Sequence, residues 1–184
     1  MAYVSRAGDK LEHILVLTGF NLAGFVCADF GSSTGGFVDC LLEHGAKKVY
    51  AVETGYGLLD WKLRTNKNVV VMEKKNAMHI VLPEKVDLIT IDTSWTKLAK
   101  IIPNALANLG ESGHIIALIK PHYEAEKYML YHGKLKEEFV SNILGDVMEK
   151  LKQFQLEVLF ETESPILGEK GKNREFLVLM RRRG

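Results

Sequence analysis

No stretch of this chain stays apolar long enough to cross a bilayer. The longest runs are of the kind Ile115-Ile116-Ala117-Leu118-Ile119, against the roughly 20 residues that a membrane helix needs. The N-terminus has no charged segment followed by an apolar one, so no signal peptide is read there. Cysteine is scarce: Cys27 and Cys40 show neither CxxC spacing nor an even framework of bridges. That argues against a disulfide-stapled domain and fits a reducing cytoplasm. Neither sign of charge dominates, with 24 Lys and Arg against 23 Asp and Glu, and any nucleic-acid affinity must therefore come from a local patch. The six histidines show neither HExxH nor another metal-ligand spacing, so no metal site is inferred. Repeats, low-complexity stretches and an internal domain boundary are also missing. What remains is an ordinary globular composition, 47% hydrophobic and 26% charged over 184 residues, long enough to bury a core. The expectation is one soluble, unexported domain over 1–184, with an N-terminal helical segment at 1–20 and a sheet core at 25–184.

The elements are placed by hydrophobic period and by punctuation. Residues 5–19 read as a helix with Asp9 near its start, Leu11, Ile14 and Leu15 on one face, and Gly19 as its stop. Lys10 lies in the first turn, a poor place for a cation beside the helix dipole. Strands are expected at 25–29, 48–53, 69–72, 86–92 and 114–119, alternating with helices at 35–44, 58–64 and 96–109. Between 121 and 136 the pattern is lost, which predicts a mobile segment over the site. A long helix follows at 138–154, then strands at 156–162 and 175–180. The link between these last two has no helical period, and a parallel pair needs a longer crossover, so they should form an antiparallel hairpin. The fold class is therefore α/β, a doubly wound, mostly parallel seven-stranded sheet of Rossmann-like type with an antiparallel last strand.

The chain is organised around Asp29-Phe30-Gly31-Ser32-Ser33-Thr34-Gly35-Gly36-Phe37, an apolar strand that ends in an acid and turns through glycines into a helix. Glycines let backbone approach a ligand, and a helix start offers unpaired N–H groups. Glu53 ends the second strand at the position of a ribose-binding carboxylate in a nucleotide-binding βαβ unit. Ligands of such sheets bind outside the carboxyl ends of the strands. Because the last strand runs backwards, its first residue, Glu175, reaches the same rim as Asp29, Glu53, Asp92 and Lys120. Singly, each has a bland reading: Asp92 as a helix cap, Lys120 as a solvated lysine, Glu175 as a partner of Arg174. Together, carboxylates and a lysine beside a nucleotide-type turn suit proton handling on a hydroxyl or amine.

These residues resemble a known family. Ser5-Arg6-Ala7-Gly8-Asp9-Lys10-Leu11-Glu12, the glycine turn, Gly55-Tyr56-Gly57, Trp61-Lys62-Leu63-Arg64, Ile91-Asp92-Thr93-Ser94, Ala117-Leu118-Ile119-Lys120-Pro121 and Glu163-Ser164-Pro165-Ile166 are similar, in that order, to the FtsJ-like RNA methyltransferases of the hemolysin A branch. The resemblance implies a class I methyltransferase with S-adenosylmethionine as cofactor and a ribose 2′-hydroxyl of ribosomal RNA as acceptor. It implies ribosomal RNA or a ribosomal subunit as partner; the cysteine usage, the lack of a span or signal peptide and the histidine spacing set the expectation of a cytoplasmic location with neither membrane nor metal, and no oligomer is inferred. It also implies a Lys-Asp-Lys-Glu tetrad, here Lys10, Asp92, Lys120 and Glu175. Lys120, its amine pKa lowered by Lys10 and partial burial, is expected to take or orient the hydroxyl proton. Gly31, Ser33, Gly35 and Gly36 would approach the methionine part of the cofactor, Glu53 its ribose and Asn76 its adenine edge. Asp29, Thr34, Phe37, Ala77 and Asp92 complete the cofactor-contacting set.

Relatives of this type usually carry a small alpha-L RNA-binding domain ahead of the Ser-Arg segment, and this chain begins near that junction. They also tend to have a longer glycine-rich stretch with an Arg-Asp pair where this chain has residues 125–136. Trp95 could stack on a target base or pack at a helix start, Trp61 is expected in the core, and Arg181-Arg182-Arg183 is read as a solvated terminus rather than a phosphate contact. Three rivals stand beside this reading: a membrane-active hemolysin, an NAD-dependent oxidoreductase, and an RNA-binding module with weak or no catalysis.

Overall fold

Strands buried on both faces must send alternate side chains into two separate cores, and the four inner parallel strands here do so, the fifth being a partly exposed edge. The computed structural model describes residues 3–169 and 171–183. Its main sheet contains β1 (Val26–Phe30), β2 (Lys48–Glu53), β3 (Val69–Glu73), β4 (Val86–Ile91), β5 (Leu109–Ile119), β8 (Leu156–Glu163) and β9 (Phe176–Arg182), with a two-stranded hairpin of β6 (Leu130–Tyr131) and β7 (Lys134–Leu135) outside it. The order is β3-β2-β1-β4-β5-β9-β8. β1 to β5 pair in parallel, whereas β9 is antiparallel to both neighbours. This is the doubly wound sheet that the pattern predicts, with the expected hairpin at its end.

Among the described residues six helices cover the sheet: α1 (Ala7–Thr18), α2 (Gly36–Glu43), α3 (Trp61–Arg64), α4 (Leu98–Asn108), α5 (Pro121–Glu124) and α6 (Val140–Lys152). On one face Leu11, Ile14 and Leu15 of α1 and Phe37, Val38 and Leu41 of α2 pack over Cys27, Val49, Leu88 and Ile116. On the other, Ile101, Ile102 and Ala105 of α4 and Val140, Ile143 and Val147 of α6 pack over Ala28, Phe30, Ile89, Ile91 and Ala117. Cys27 and Ala28 are sequence neighbours on opposite faces, as the two-residue period requires. α1 stops at Gly19, which is left-handed at φ 61° and returns its N–H to the last turn.

Several boundaries differ from expectation. β5 begins at Leu109 rather than 114, because its register with β4 shifts between Val86 and Leu88 and the glycine-containing stretch 110–113 bulges out of the ladder. The helix expected at 58–64 shrinks to Trp61–Arg64, started by Asp60, whose side chain accepts from the Lys62 N–H. Trp61 is 74% exposed, not core; on a one-turn helix only Leu63 points inward. The segment after Lys120 is built rather than patternless: α5, the β6–β7 hairpin and two 3-10 turns at Lys127–Met129 and Glu137–Phe139. The Glu124 carboxylate accepts from the Leu98 N–H at 2.7 Å, tying α5 to the start of α4. The terminal arginines are paired: Arg181 to Glu157 at 2.7 Å, and Arg182 to the carbonyls of Leu106 and Leu109. They sit at the end of β9 away from the rim where Glu175 begins it.

Gly31 is where β1 and β4 leave room for nothing but backbone. Its φ is +92°, and a Cβ there would stand 2.7 Å from the Asp92 carbonyl oxygen. Both faults are backbone ones, so Gly31→Ala should lower the unfolding free energy by about 2–3 kcal/mol. Urea denaturation checks this, and a loss below about 0.5 kcal/mol would refute the close-approach argument.

Candidate active site

The rim above the carboxyl ends of β1, β2, β4 and β5 opens into two adjoining cavities of about 300 and 320 Å³. Both are lined by Gly31, Ser33, Asp92, Ser94 and Trp95, so they form two lobes of one cleft. The glycine turn sits between them. Gly31 and Ser32 donate to the Val52 carbonyl at 2.9 and 3.1 Å, and Asp92 donates to the Phe30 carbonyl at 3.0 Å. These bonds lock the turn to the ends of β2 and β4. Ser33 is held in a left-handed conformation at φ 47°, and its N–H donates to Glu53 Oε2 at 2.9 Å.

The first lobe gathers Lys10, Asp92, Lys120 and Glu175. Lys10 Nζ lies 2.5 Å from Glu175 Oε2, and Lys120 Nζ lies 2.5 Å from Asp92 Oδ1. Lys10 and Glu175, 165 residues apart, are both buried. All four groups line this lobe together with Asp29, Thr34, Gly36 and Phe37. The odd cation in the first turn of α1 is therefore the partner that Glu175 needs. The second lobe is lined by Glu53, Asn76 and Ala77. Glu53 also accepts from Gly55 N–H at 2.9 Å, and the Asn76 side-chain oxygen accepts from the Met78 N–H, so both are fixed by their own loops. Gly35 lines neither lobe; at φ +101° it starts α2 and lies against Leu59 and Leu63.

The electrostatics correct one expectation. Burial alone would push the Lys120 amine down, but the ion pair with Asp92 and the nearby Glu175 outweigh it, and the group is held above its ordinary value. Lys10 is not among the groups that shift it. Lys120 is thus an ammonium, not a free base. Burial, in contrast, pushes the Asp29 carboxyl up to about 8, helped by Asp92 and Glu53 and opposed by the 2.7 Å hydrogen bond from Thr90 Oγ1.

Two residues of the lobe escaped the sequence reading. His122 is buried with Nδ1 unpartnered, and burial together with Lys120 and Lys10 drives its imidazole down to about 4; it is neutral at pH 7. Its one sequence signal was adjacency to Lys120-Pro121. Tyr123 lies beside it, and its ring centroid is 4.9 Å from that of Trp95. Trp95 is 78% exposed and left-handed at φ 63°, so it stands at the mouth and does not pack inward.

An open α/β sheet with a glycine turn after β1, an acid ending β2 and a charged two-lobed cleft defines a Rossmann-like enzyme domain for a nucleotide-type cofactor. The description "FtsJ-like methyltransferase" matches residues 3–182, and the chain belongs to that family. It is 39% identical over 181 residues to Hemolysin A of Brachyspira hyodysenteriae, covering 95% of this chain and 75% of that protein. It is 40% identical over 130 residues to the 16S/23S rRNA (cytidine-2′-O)-methyltransferase TlyA of Mycobacterium tuberculosis, covering 68% of this chain and 48% of that one. A crystal structure titled as a hemolysin from Lactococcus lactis superposes with a TM-score of 0.93 at 37% identity, covering 98% of this chain and 89% of that one. The cofactor of this methyltransferase domain is S-adenosylmethionine. The cleft fits it: one lobe is faced by the glycine turn and ringed with charge, the other is closed by Glu53 and the less polar Ala77, Met78 and Ile101.

A raised Asp29 pKa has a definite sign. Between roughly pH 4 and 8 the folded protein holds a proton that the unfolded chain has lost, so this group makes stability fall as pH rises through that window. Asp29→Asn keeps the acceptor for Thr90 and removes the titration. The loss of unfolding free energy between pH 5 and pH 8 should shrink by about 2–4 kcal/mol in urea titrations; an unchanged difference would mean that Asp29 ionises normally.

Proposed function

We propose that this domain is an S-adenosylmethionine-dependent methyltransferase acting on a ribose 2′-hydroxyl of ribosomal RNA in the cytoplasm. The observation that carries the reading is the pairing of Lys10 with Glu175 and Lys120 with Asp92 in one lobe directly under the glycine turn. The name of the mycobacterial relative supports the acceptor.

When bound, the cofactor supplies an electrophilic methyl group. Gly31, Ser33, Thr34, Gly36 and Phe37 would hold its methionine end, Glu53 its ribose, and Asn76 and Ala77 its adenine edge. The chain's own contribution to the transfer is positioning and charge. The Lys120 ammonium donates to the attacking ribose oxygen and sets its direction. Methyl transfer would break the sulfonium C–S bond, leaving a neutral thioether, and form the C–O bond; the hydroxyl proton, strongly acidic once its oxygen is alkylated, would pass to the Asp92 carboxylate, on the oxygen that Lys120 leaves free. No neutral lysine is required. Glu175 holds Lys10 in place through their ion pair, and Lys10 offers the ribose a second donor. Trp95, with Tyr123 behind it, forms a face on which the target base can stack.

A membrane-lytic reading finds no support: no helix among the described residues is long and apolar enough to cross a membrane. A non-catalytic RNA-binding module is separated from an enzyme by experiment. Transfer of labelled methyl from S-adenosylmethionine to ribosomal subunits should produce ribose-methylated nucleotides. Lys120→Ala should lower kcat by about 10²–10³-fold, the usual cost of one donor aimed at developing charge, with calorimetric cofactor affinity nearly unchanged. Wild-type transfer by this variant would remove Lys120 from the mechanism, and no transfer by the unaltered chain would favour the binding module. Trp95→Ala should raise KM for RNA about five-fold or more, since a stacked base is worth about 1–3 kcal/mol. Cofactor affinity should hold; an unchanged KM would return Trp95 to plain surface.

A further inference from the structure

Away from the cleft, the crossing of α1 and α2 brings together three side chains that the methyl-transfer chemistry leaves unused. Cys40 and His44 are four residues apart, one helical turn on the same face of α2, with His44 at its C-terminal cap. Glu12 reaches them from α1. Cys40 Sγ is 3.9 Å from Glu12 Oε2, His44 Nε2 contacts the same oxygen, and the three donor atoms all lie within 4.8 Å of one another. From these positions we infer a binding site for one divalent transition-metal ion of zinc type where α1 crosses α2, with Cys40 buried at its inner end and Glu12 and His44 partly exposed.

The donor set is a thiol, an imidazole and a carboxylate, the mixture that suits a borderline-soft ion such as Zn²⁺ rather than Mg²⁺ or Ca²⁺. Around a tetrahedral zinc, ligand atoms of these kinds stand about 3.3–3.5 Å apart, from bond lengths of about 2.0–2.3 Å. The Sγ–Oε2 separation is already within a few tenths of an ångström of that. The His44–Glu12 contact has to open by about an ångström, which a rotation of either half-exposed side chain provides; their side chains are 29% and 37% accessible. Tyr3 Oη donates to the same Glu12 Oε2 at 2.6 Å and holds the carboxylate in place, as hydrogen-bonding partners of metal ligands do. Three protein ligands leave a fourth position for water. On binding, the S–H bond of Cys40 breaks, a thiolate–metal bond forms and the proton goes to solvent. The ion would clamp α1 to α2, and α1 is the helix that carries Lys10. The spacing gave no hint of this: Glu12 is 28 residues from Cys40, and only the helix crossing joins them.

The test uses the metal-free whole chain titrated with Co²⁺. One equivalent should bind and give a thiolate-to-cobalt charge-transfer band with the visible bands of a tetrahedral site, and Zn²⁺ should bleach both. Zinc at a hundredfold excess over Kd should raise the melting temperature by about 5–10 °C. Cys40→Ser should abolish the charge-transfer band. His44→Ala, an alteration at the partly exposed end of a helix, should weaken Co²⁺ binding at least tenfold while circular dichroism and S-adenosylmethionine affinity stay as in the unaltered chain. The proposal is overturned if no band appears, if the band survives Cys40→Ser and so belongs to Cys27, or if zinc leaves the melting temperature unchanged. The three side chains would then be a hydrogen-bonded cluster and nothing more.

Discussion

An ammonium group cannot be left alone in a nearly dry cavity; it needs a carboxylate within contact distance, or its desolvation costs several kcal/mol. The cleft contains two such groups, and each has one partner. Lys10 meets Glu175 and Lys120 meets Asp92, both at 2.5 Å. The first pair ties the N-terminal helix to the start of the last strand, and the second ties the ends of β4 and β5. Such pairs are poor evidence for stability, because a well-packed apolar replacement is often as good. Their presence at the strand ends is better explained by chemistry than by folding.

The sheet makes those pairings possible. Parallel strands bring only their carboxyl ends to the ligand-binding edge, and β1, β2, β4 and β5 deliver Asp29, Glu53, Asp92 and Lys120 there. The reversed β9, inserted between β5 and β8, presents its beginning instead, so Glu175 arrives where no parallel strand at that place in the order could put it. α1 then lies over the edge with Lys10 opposite. The Gly31 turn closes tightly against the Asp92 backbone, and both residues line the two lobes of the cleft.

Inside that cleft, burial works in opposite directions on different groups. It drives Asp29 and His122 toward their neutral forms. It fails to do so for Lys120 because an ion pair outweighs it. The result is a lysine that stays charged beside a carboxyl and an imidazole that are largely neutral. On the proposed reading, a site of that composition would direct an oxygen nucleophile and offset developing charge, whereas a neutral lysine base would have needed Asp92 elsewhere.

The residues alone determined a good deal: the alternation of strand and helix, the antiparallel hairpin at the end, the glycine turn, and the convergence of five strand-end charges on one rim. These are local or topological facts, carried by hydrophobic period and by the rule that a reversed strand shows its other end. Trp61 was misplaced because a one-turn helix has too few residues for a period to reveal its inner face. The built segment after Lys120 was illegible for a similar reason, since short turns and two-residue strands follow tertiary contacts. Only the tertiary structure decided that Lys10 belongs to Glu175, that Lys120 keeps its proton, that Trp95 faces solvent beside Tyr123, and that Glu12 meets Cys40 and His44. Each of these rests on the distance between groups remote in sequence, and the free energy of a charge depends on that distance and on the water excluded around it.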